Sequence, residues 1–71
     1  MTPAQILTTV VDCSGMAALD VATLAGKARQ DLSRITTGKI ANPGWESMVA
    51  YIKAGGGSVR VELRHGRVLE V

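Results

Sequence analysis

The amino-acid sequence predicts a small, mainly α-helical domain of four short helices, followed by a C-terminal β-strand or hairpin. Apolar residues recur at helical spacing in four successive segments between residues 3 and 54. Glycine, or the turn sequence Asn42-Pro43-Gly44, separates these segments. After Gly55-Gly56-Gly57 the apolar residues alternate instead, which is typical of a strand with one buried face.

Start and end signals predict the first helix over residues 3–13. Thr2 can cap its first turn, Pro3 suits the first helical position, and Gln5 can complete a capping box. Ser14-Gly15 ends the helix. Its apolar face consists of Ile6, Leu7, Val10 and Val11.

The second and third helices are predicted over residues 17–25 and about 28–36. Gly26 directly follows the second helix, at the position where a left-handed residue ends many helices. In the third helix only Leu32 and Ile35 are apolar at helical spacing, so this helix is expected to bury a narrow stripe and to expose a polar face.

A fourth helix is predicted over residues 44–54. Four of its residues have the spacing of a buried face: Trp45, Met48, Val49 and Ile52. We expect Trp45 to anchor the core, and the alternative is that it covers a dimer contact. Cys13, at the end of the first helix, is likewise expected to be a small core residue.

Residues 58–64 are predicted to form a strand and residues 68–71 its return strand. A lone two-stranded hairpin is marginally stable in water, so we expect it to pair with a second copy or to lie on a partner protein. The side chains expected to make the dimerisation contact are Val59, Val61, Leu63, Leu69 and Val71.

The register of this hairpin depends on the length of its loop. A two-residue loop, residues 65–66, would place Val61 opposite Glu70. A three-residue loop, residues 65–67, would place Val61 opposite Val71. We favour the longer loop, because it sets apolar side chains against each other on one face.

Length and composition limit the possible functions. The chain has 71 residues, 46% of them hydrophobic and 20% charged, with one cysteine, one histidine and a net charge of +2. A core this small favours a partner subunit and excludes a multi-domain enzyme. No nucleophile–base pair, zinc set or phosphate loop occurs, so we expect no enzyme, metal or cofactor. Without a long apolar run or a secretory pattern, the expected location is the cytoplasm, away from membranes.

Two short helices that meet at a glycine, with polar side chains on the exposed face of the second, are the layout of a helix-turn-helix motif. Four apolar side chains are expected to hold this pair on the core: Val21, Ala22, Leu32 and Ile35. Arginine can bond guanine and glutamine can bond adenine in the major groove. Residues 27–39 hold four basic residues and one acidic residue, a net charge of +3, whereas the other 58 residues carry −1. Positive charge is therefore concentrated on the third helix and its flanks.

Residues 21–39 resemble the helix-turn-helix of the Cro/repressor-type (XRE) family, whose usual run is Leu-Ala-x-x-x-Gly-Val-Ser-x-x-x-Ile-Ser-x-Ile-Glu-x-Gly. Pro43 and residues 48–56 are similar to the segment that follows in that family, Pro-x-x-x-x-Leu and Ala-Leu-Gly. The resemblance covers about three-quarters of the chain. It implies a lambda-repressor-like DNA-binding domain in residues 1–57, with residues 58–71 as a dimerisation arm.

The resemblance also implies which residues contact DNA. The third helix would enter the major groove, and the residues implied for base recognition are Arg29, Gln30, Asp31, Ser33 and Arg34. The residues implied for phosphate contacts are Lys27, Thr37 and Lys39. The chain departs from the family pattern at three positions: Ala28 replaces a capping Ser or Thr, Thr36 a common Glu, and Ala18 a frequent Gln. The missing cap is expected to cost the third helix about 0.5–2 kcal/mol.

The predicted function is that of a homodimeric transcriptional repressor, such as a phage regulator, that binds a pseudo-palindromic operator in double-stranded DNA. The C-terminal strands also resemble those of some antitoxins in this family. The alternative prediction is therefore an antitoxin or adaptor that binds a partner protein, such as a toxin, through its C-terminal strand, with control of its own operon secondary.

Overall fold

In a computed structural model that describes every residue from Met1 to Val71, four α-helices are followed by a two-stranded antiparallel hairpin. The helices are α1 (Pro3–Ser14), α2 (Ala18–Leu24), α3 (Arg29–Thr36) and α4 (Trp45–Ala54). The strands are β1 (Arg60–Glu62) and β2 (Val68–Glu70), joined by a 3-10 turn at Arg64–Gly66. The predicted fold class, mainly α with a C-terminal hairpin, is confirmed, and each helix boundary lies within one residue of its predicted position.

Local signals account for the start and end of α1. The Thr2 hydroxyl accepts a hydrogen bond from the Gln5 N–H at 3.2 Å, and the Gln5 side chain accepts one from the Thr2 N–H at 2.9 Å. Gly15, in the left-handed conformation at φ 72°, ends the helix. The other three α-helices begin without a side-chain cap. Packing must therefore supply most of their stability.

The core lies between the helices, where α1 and α2 each pack against both α3 and α4. The buried side chains are Leu7, Val21, Ala22, Leu32, Ile35 and Tyr51. The four residues predicted to hold α2 and α3 on the core are all among them. No single helix has the length and apolar character needed to cross a bilayer; only α1 and α2 taken together, across a bend of 101°, meet that test.

Two core predictions are wrong, since Trp45 is 59% exposed and Cys13 is also exposed. The core takes Tyr51 from α4 instead, with 1% of its surface exposed. Trp45 and Tyr51 are six residues apart, and each residue turns the helix by about 100°. The two side chains therefore lie about 120° apart around the helix, and only one of the two can face the core. Apolar residues occur around most of α4, and the spacing therefore did not determine its buried side.

The hairpin has a register that differs from both predicted ones. Val61 lies opposite Leu69, and the loop comprises Arg64–Gly66. The turn closes earlier than predicted because His65 and Gly66 both adopt positive φ, at 70° and 76°, and thereby reverse the chain. The shift from the favoured register is two residues, which preserves the side-chain faces. The five predicted dimerisation residues therefore still share one face of the hairpin.

No helix packs extensively against the hairpin, whose strands make their main contacts with each other. The molecule measures 40 × 23 × 19 Å, and its radius of gyration of 12.4 Å exceeds the value of about 11 Å expected for this length. Val59 and Val61 are half-buried, whereas Leu63, Leu69 and Val71 are 46%, 41% and 40% exposed. One apolar face thus remains largely uncovered in the single chain.

Candidate nucleic-acid interface

A four-residue turn connects α2 to α3. Gly26 adopts φ 72°, and the Lys27 N–H donates to the carbonyl of Ala22 at 2.9 Å, which closes the end of α2. Ala28 is extended and makes no side-chain capping bond, so the predicted absence of a cap on α3 is confirmed. The turn directs the chain into α3, whose start is exposed to solvent.

The two sides of α3 differ sharply in burial. Leu32 and Ile35 are 1% and 3% exposed, so the predicted narrow apolar stripe faces the core. The residues on the opposite side are exposed: Arg29, Gln30, Ser33 and Arg34. At about 100° per residue these four side chains begin within an arc of about 140° of the helix circumference. The helix therefore presents one continuous polar side.

Lys39, just beyond α3, joins this polar side. It follows Gly38, whose left-handed φ of 82° ends the helix and turns the chain. A shallow, open depression of about 310 Å³ is lined by polar side chains alone: Arg29, Gln30, Ser33, Arg34 and Lys39. We call these five residues the α3 basic face. It holds three cationic groups and no carboxylate, and it brings together five of the eight predicted DNA-contacting residues.

Two of the cations in the α3 basic face have no partner within the chain. The only ion pairs are Arg34 with Asp31, at 3.7 Å, and Arg60 with Glu62, at 3.8 Å. Arg29 and Lys39 are therefore free to bind an external anion. The Arg34–Asp31 pair is about half exposed, and such surface pairs contribute about 0–1 kcal/mol. Arg34 is thus only weakly held.

The other three predicted residues do not line this depression. Asp31 and Lys27 line a separate depression between α3 and the start of α4, together with Ser47 and Tyr51. Thr37 uses its hydroxyl to donate a hydrogen bond to the Ser33 carbonyl at 2.7 Å. The DNA contacts assigned to all eight side chains stay predictions.

Tyr51, which was not anticipated as part of this region, contributes to the α3–α4 depression from within the core. Burial, and secondarily the negative charge of Asp31, raise the pKa of the Tyr51 hydroxyl above its ordinary value of 10.0. Asp31 therefore acts electrostatically toward α4 as well as toward Arg34. The sequence offered no clear signal for this, because Tyr51 lies outside the apolar face predicted for α4.

Comparisons with protein-family models, with curated proteins and with solved structures find no match to this chain. No three His, Cys, Asp or Glu side chains come close enough together to hold a metal ion.

Proposed function

We propose that the protein is a sequence-specific, DNA-binding transcriptional regulator in which α2 and α3 form a helix-turn-helix of the Cro/repressor type. The α3 basic face carries the proposal. It is exposed, entirely polar and cationic, and it lies on the helix that would enter the major groove. These properties suit a surface that approaches both the base edges and the phosphates of a duplex.

The chemistry of the individual side chains supports base recognition at the start of α3. Arg29 and Gln30 are the first two residues of the helix, and the first turn of a recognition helix approaches the bases most closely. An arginine fork bonds the O6 and N7 atoms of guanine, and a glutamine amide bonds the N6 and N7 atoms of adenine. Lys39 lies beyond the helix end, where a point charge suits a phosphate.

Operator binding would use two copies of the chain. Two recognition helices that enter successive major grooves on one side of DNA lie about 34 Å apart, so each α3 would lie about 17 Å from the two-fold axis. The longest dimension of one chain is 40 Å, which accommodates that distance. The C-terminal hairpin, which no helix covers in the single chain, is the element we assign to this dimer.

Selection of bound sequences from a random DNA library, followed by titration of the selected site, tests the proposal. Arg29→Ala and Gln30→Ala should each lose about 1–3 kcal/mol on that site and relax its sequence preference at one base pair. Lys39→Ala should weaken all sequences about equally and reduce the slope of affinity against salt. Lys53→Ala, an exposed lysine at the end of α4, is the matched control. An Arg29→Ala protein that behaved like this control would refute the assignment of α3.

A second candidate function is an antitoxin or adaptor, favoured by the exposure of Leu63, Leu69 and Val71 on the hairpin. The hairpin would then lie on another protein rather than on a second copy. Purification from the native host tests this alternative. A larger protein that co-purifies in stoichiometric amounts, and is lost when the chain is truncated after Gly57, would favour the adaptor. A homodimer without such a protein would favour the regulator.

A further inference from the structure

We propose that β1 pairs antiparallel with β1 of a second copy about a two-fold axis at Val61, which makes a four-stranded sheet in the order β2–β1–β1–β2. The proposal deepens the dimer of the proposed function and rests on that dimer, but it does not depend on DNA binding. The reasons lie in the exposed area of the chain, the hydrogen-bonding pattern of the hairpin and the order of charges along β1.

The chain exposes more surface than a compact monomer of its mass. Its accessible area is 4946 Å², whereas about 4200 Å² is expected for a folded monomer of 7.4 kDa. The excess of about 700 Å² is close to the roughly 800 Å² that one partner buries in a protein interface of standard size. Two strands alone are also too few for an independently stable sheet. A second copy of the hairpin would remedy both features.

The hydrogen bonds inside the hairpin show which backbone groups of β1 are free. The Leu63 N–H donates to the Arg67 carbonyl at 2.8 Å, and the Val71 N–H donates to the Val59 carbonyl at 3.0 Å. In an antiparallel pair the bonded residues alternate, so residues 59, 61 and 63 direct their backbone groups toward β2. The N–H and C=O groups of Arg60 and Glu62 therefore point to the open edge, ready to bond another strand.

The charges of β1 are complementary to themselves in one register. A two-fold axis at Val61 sets Arg60 opposite Glu62 of the second copy, and the same pair recurs on the other side of the axis. An axis at Arg60 would instead oppose two arginines, and an axis at Glu62 would oppose two glutamates. Like charges directly opposite each other are destabilising, whereas opposite charges stabilise a pair of strands. The axis at Val61 is the arrangement within β1 that avoids every like-charge pair.

Pairing through β2 is less favourable. A two-fold axis at Leu69 would set Val68 opposite Glu70 and form no ion pair between the copies. Pairing β1 with β2 of another copy is heterologous and leaves an edge open for further addition. The β1 pairing closes as a dimer and keeps the apolar sides of both hairpins on one face of the sheet.

Charge reversal tests the register. Arg60 also lies opposite Glu70 within its own hairpin, so the variants that reverse Arg60 also reverse Glu70. Glu62→Arg alone, or Arg60→Glu/Glu70→Arg, turns both cross-axis pairs into repulsions and should raise the dimer dissociation constant about tenfold at low salt. The triple variant Arg60→Glu/Glu62→Arg/Glu70→Arg restores complementarity across the axis and within the hairpin and should return to within about threefold of the original value. Arg67→Glu, which changes a charge away from the axis, is the control. Analytical ultracentrifugation measures each constant without DNA. Charge-reversed variants that dimerise like the control, or a triple variant that is as weak as they are, would overturn the proposal.

Disulfide trapping gives a second test that does not rely on charge. In the proposed register Val61 faces Val61 of the second copy in a non-hydrogen-bonded pair, with Cα atoms about 4.5 Å apart, which a disulfide can span. In a Cys13→Ser background, Val61→Cys should form a covalent dimer under mild oxidation, and Leu69→Cys should not. Equal cross-linking of the two variants would contradict the axis at Val61. Cross-linking of Val61→Cys, together with failure of the unsubstituted protein to select any DNA sequence, would support the interface and refute the DNA-binding function separately.

Discussion

Replacing Gly55 with alanine tests how closely the end of α4 approaches α1. A Cβ atom at Gly55 would overlap the Cγ1 methyl of Val10, while its other neighbours lie at ordinary contact distances of 3.5 Å. Valine is stiff about χ1 in a helix, so Val10 cannot easily turn the methyl away. The overlap should therefore be relieved by separating α1 from α4, which loosens the core around Leu7.

The magnitude follows from two opposing contributions. Forcing an extra methyl group into a packed contact costs about 1–3 kcal/mol. Gly55 has an ordinary φ of −79°, so alanine also stabilises by about 0.4–1 kcal/mol through the unfolded chain. The net expectation is a loss of about 1–2 kcal/mol in the free energy of unfolding. Each kcal/mol lost lowers the Tm of a domain of this size by about 4–8 °C.

Urea denaturation at one fixed protein concentration measures this loss, because dimer dissociation would otherwise alter the midpoint. The control is the same Gly55→Ala change in a Val10→Ala background, which removes the methyl that would be overlapped. There the change should be neutral or stabilising. A penalty that persisted in the Val10→Ala background would refute the contact as its cause.

Three further predictions follow from the positions of Tyr51, Asp31 and Trp45. The pKa of Tyr51 is higher in the folded chain than in the unfolded chain. Its contribution to stability is therefore complete below about pH 10, the unfolded-state pKa, and is lost as the pH rises through the folded-state pKa. Tyr51→Phe should reduce the fall in Tm above about pH 10, measured by thermal denaturation in that range. Asp31→Asn removes a carboxylate 3.7 Å from Arg34. The affinity of the protein for all DNA sequences should then rise about two- to tenfold in fluorescence-anisotropy titrations. A loss of affinity that depended on the base sequence would instead show that Asp31 contacts a base. Trp45→Ala should lower the free energy of unfolding of the monomer by less than about 1 kcal/mol in urea denaturation. Tyr51→Ala should lower it by about 3–5 kcal/mol. Equal losses of unfolding free energy in the two variants would contradict the observed orientation of α4.

Much of the helical architecture was predictable because its signals are local. The Thr2–Gln5 capping box and the left-handed Gly26 act within a few residues of a helix end, and both occur in the structure as predicted. The buried stripe of α3 was equally clear, since Leu32 and Ile35 are the only apolar residues at helical spacing among polar neighbours. That stripe also determines which side of α3 is exposed.

The site was predictable in part for the same reason. Arg29, Gln30, Ser33 and Arg34 are on one side of α3 because of the helical repeat alone. Asp31 lies about 60° further around the helix than Arg34, toward the buried stripe, so it joins Tyr51 rather than the basic face. Adjacency in the sequence did not reveal this separation, because it depends on where α4 lies.

Sequence alone predicts the number of helices, their ends and the concentration of positive charge on α3, since these depend on neighbouring residues and on helical periodicity. Tertiary packing makes α4 bury Tyr51 and expose Trp45, because apolar residues occur around most of that helix and the contacts with α1 and α2 select its inner side. The turn at His65 and Gly66 likewise decided the register of the hairpin, through a pair of positive φ angles that alternation of apolar residues does not encode.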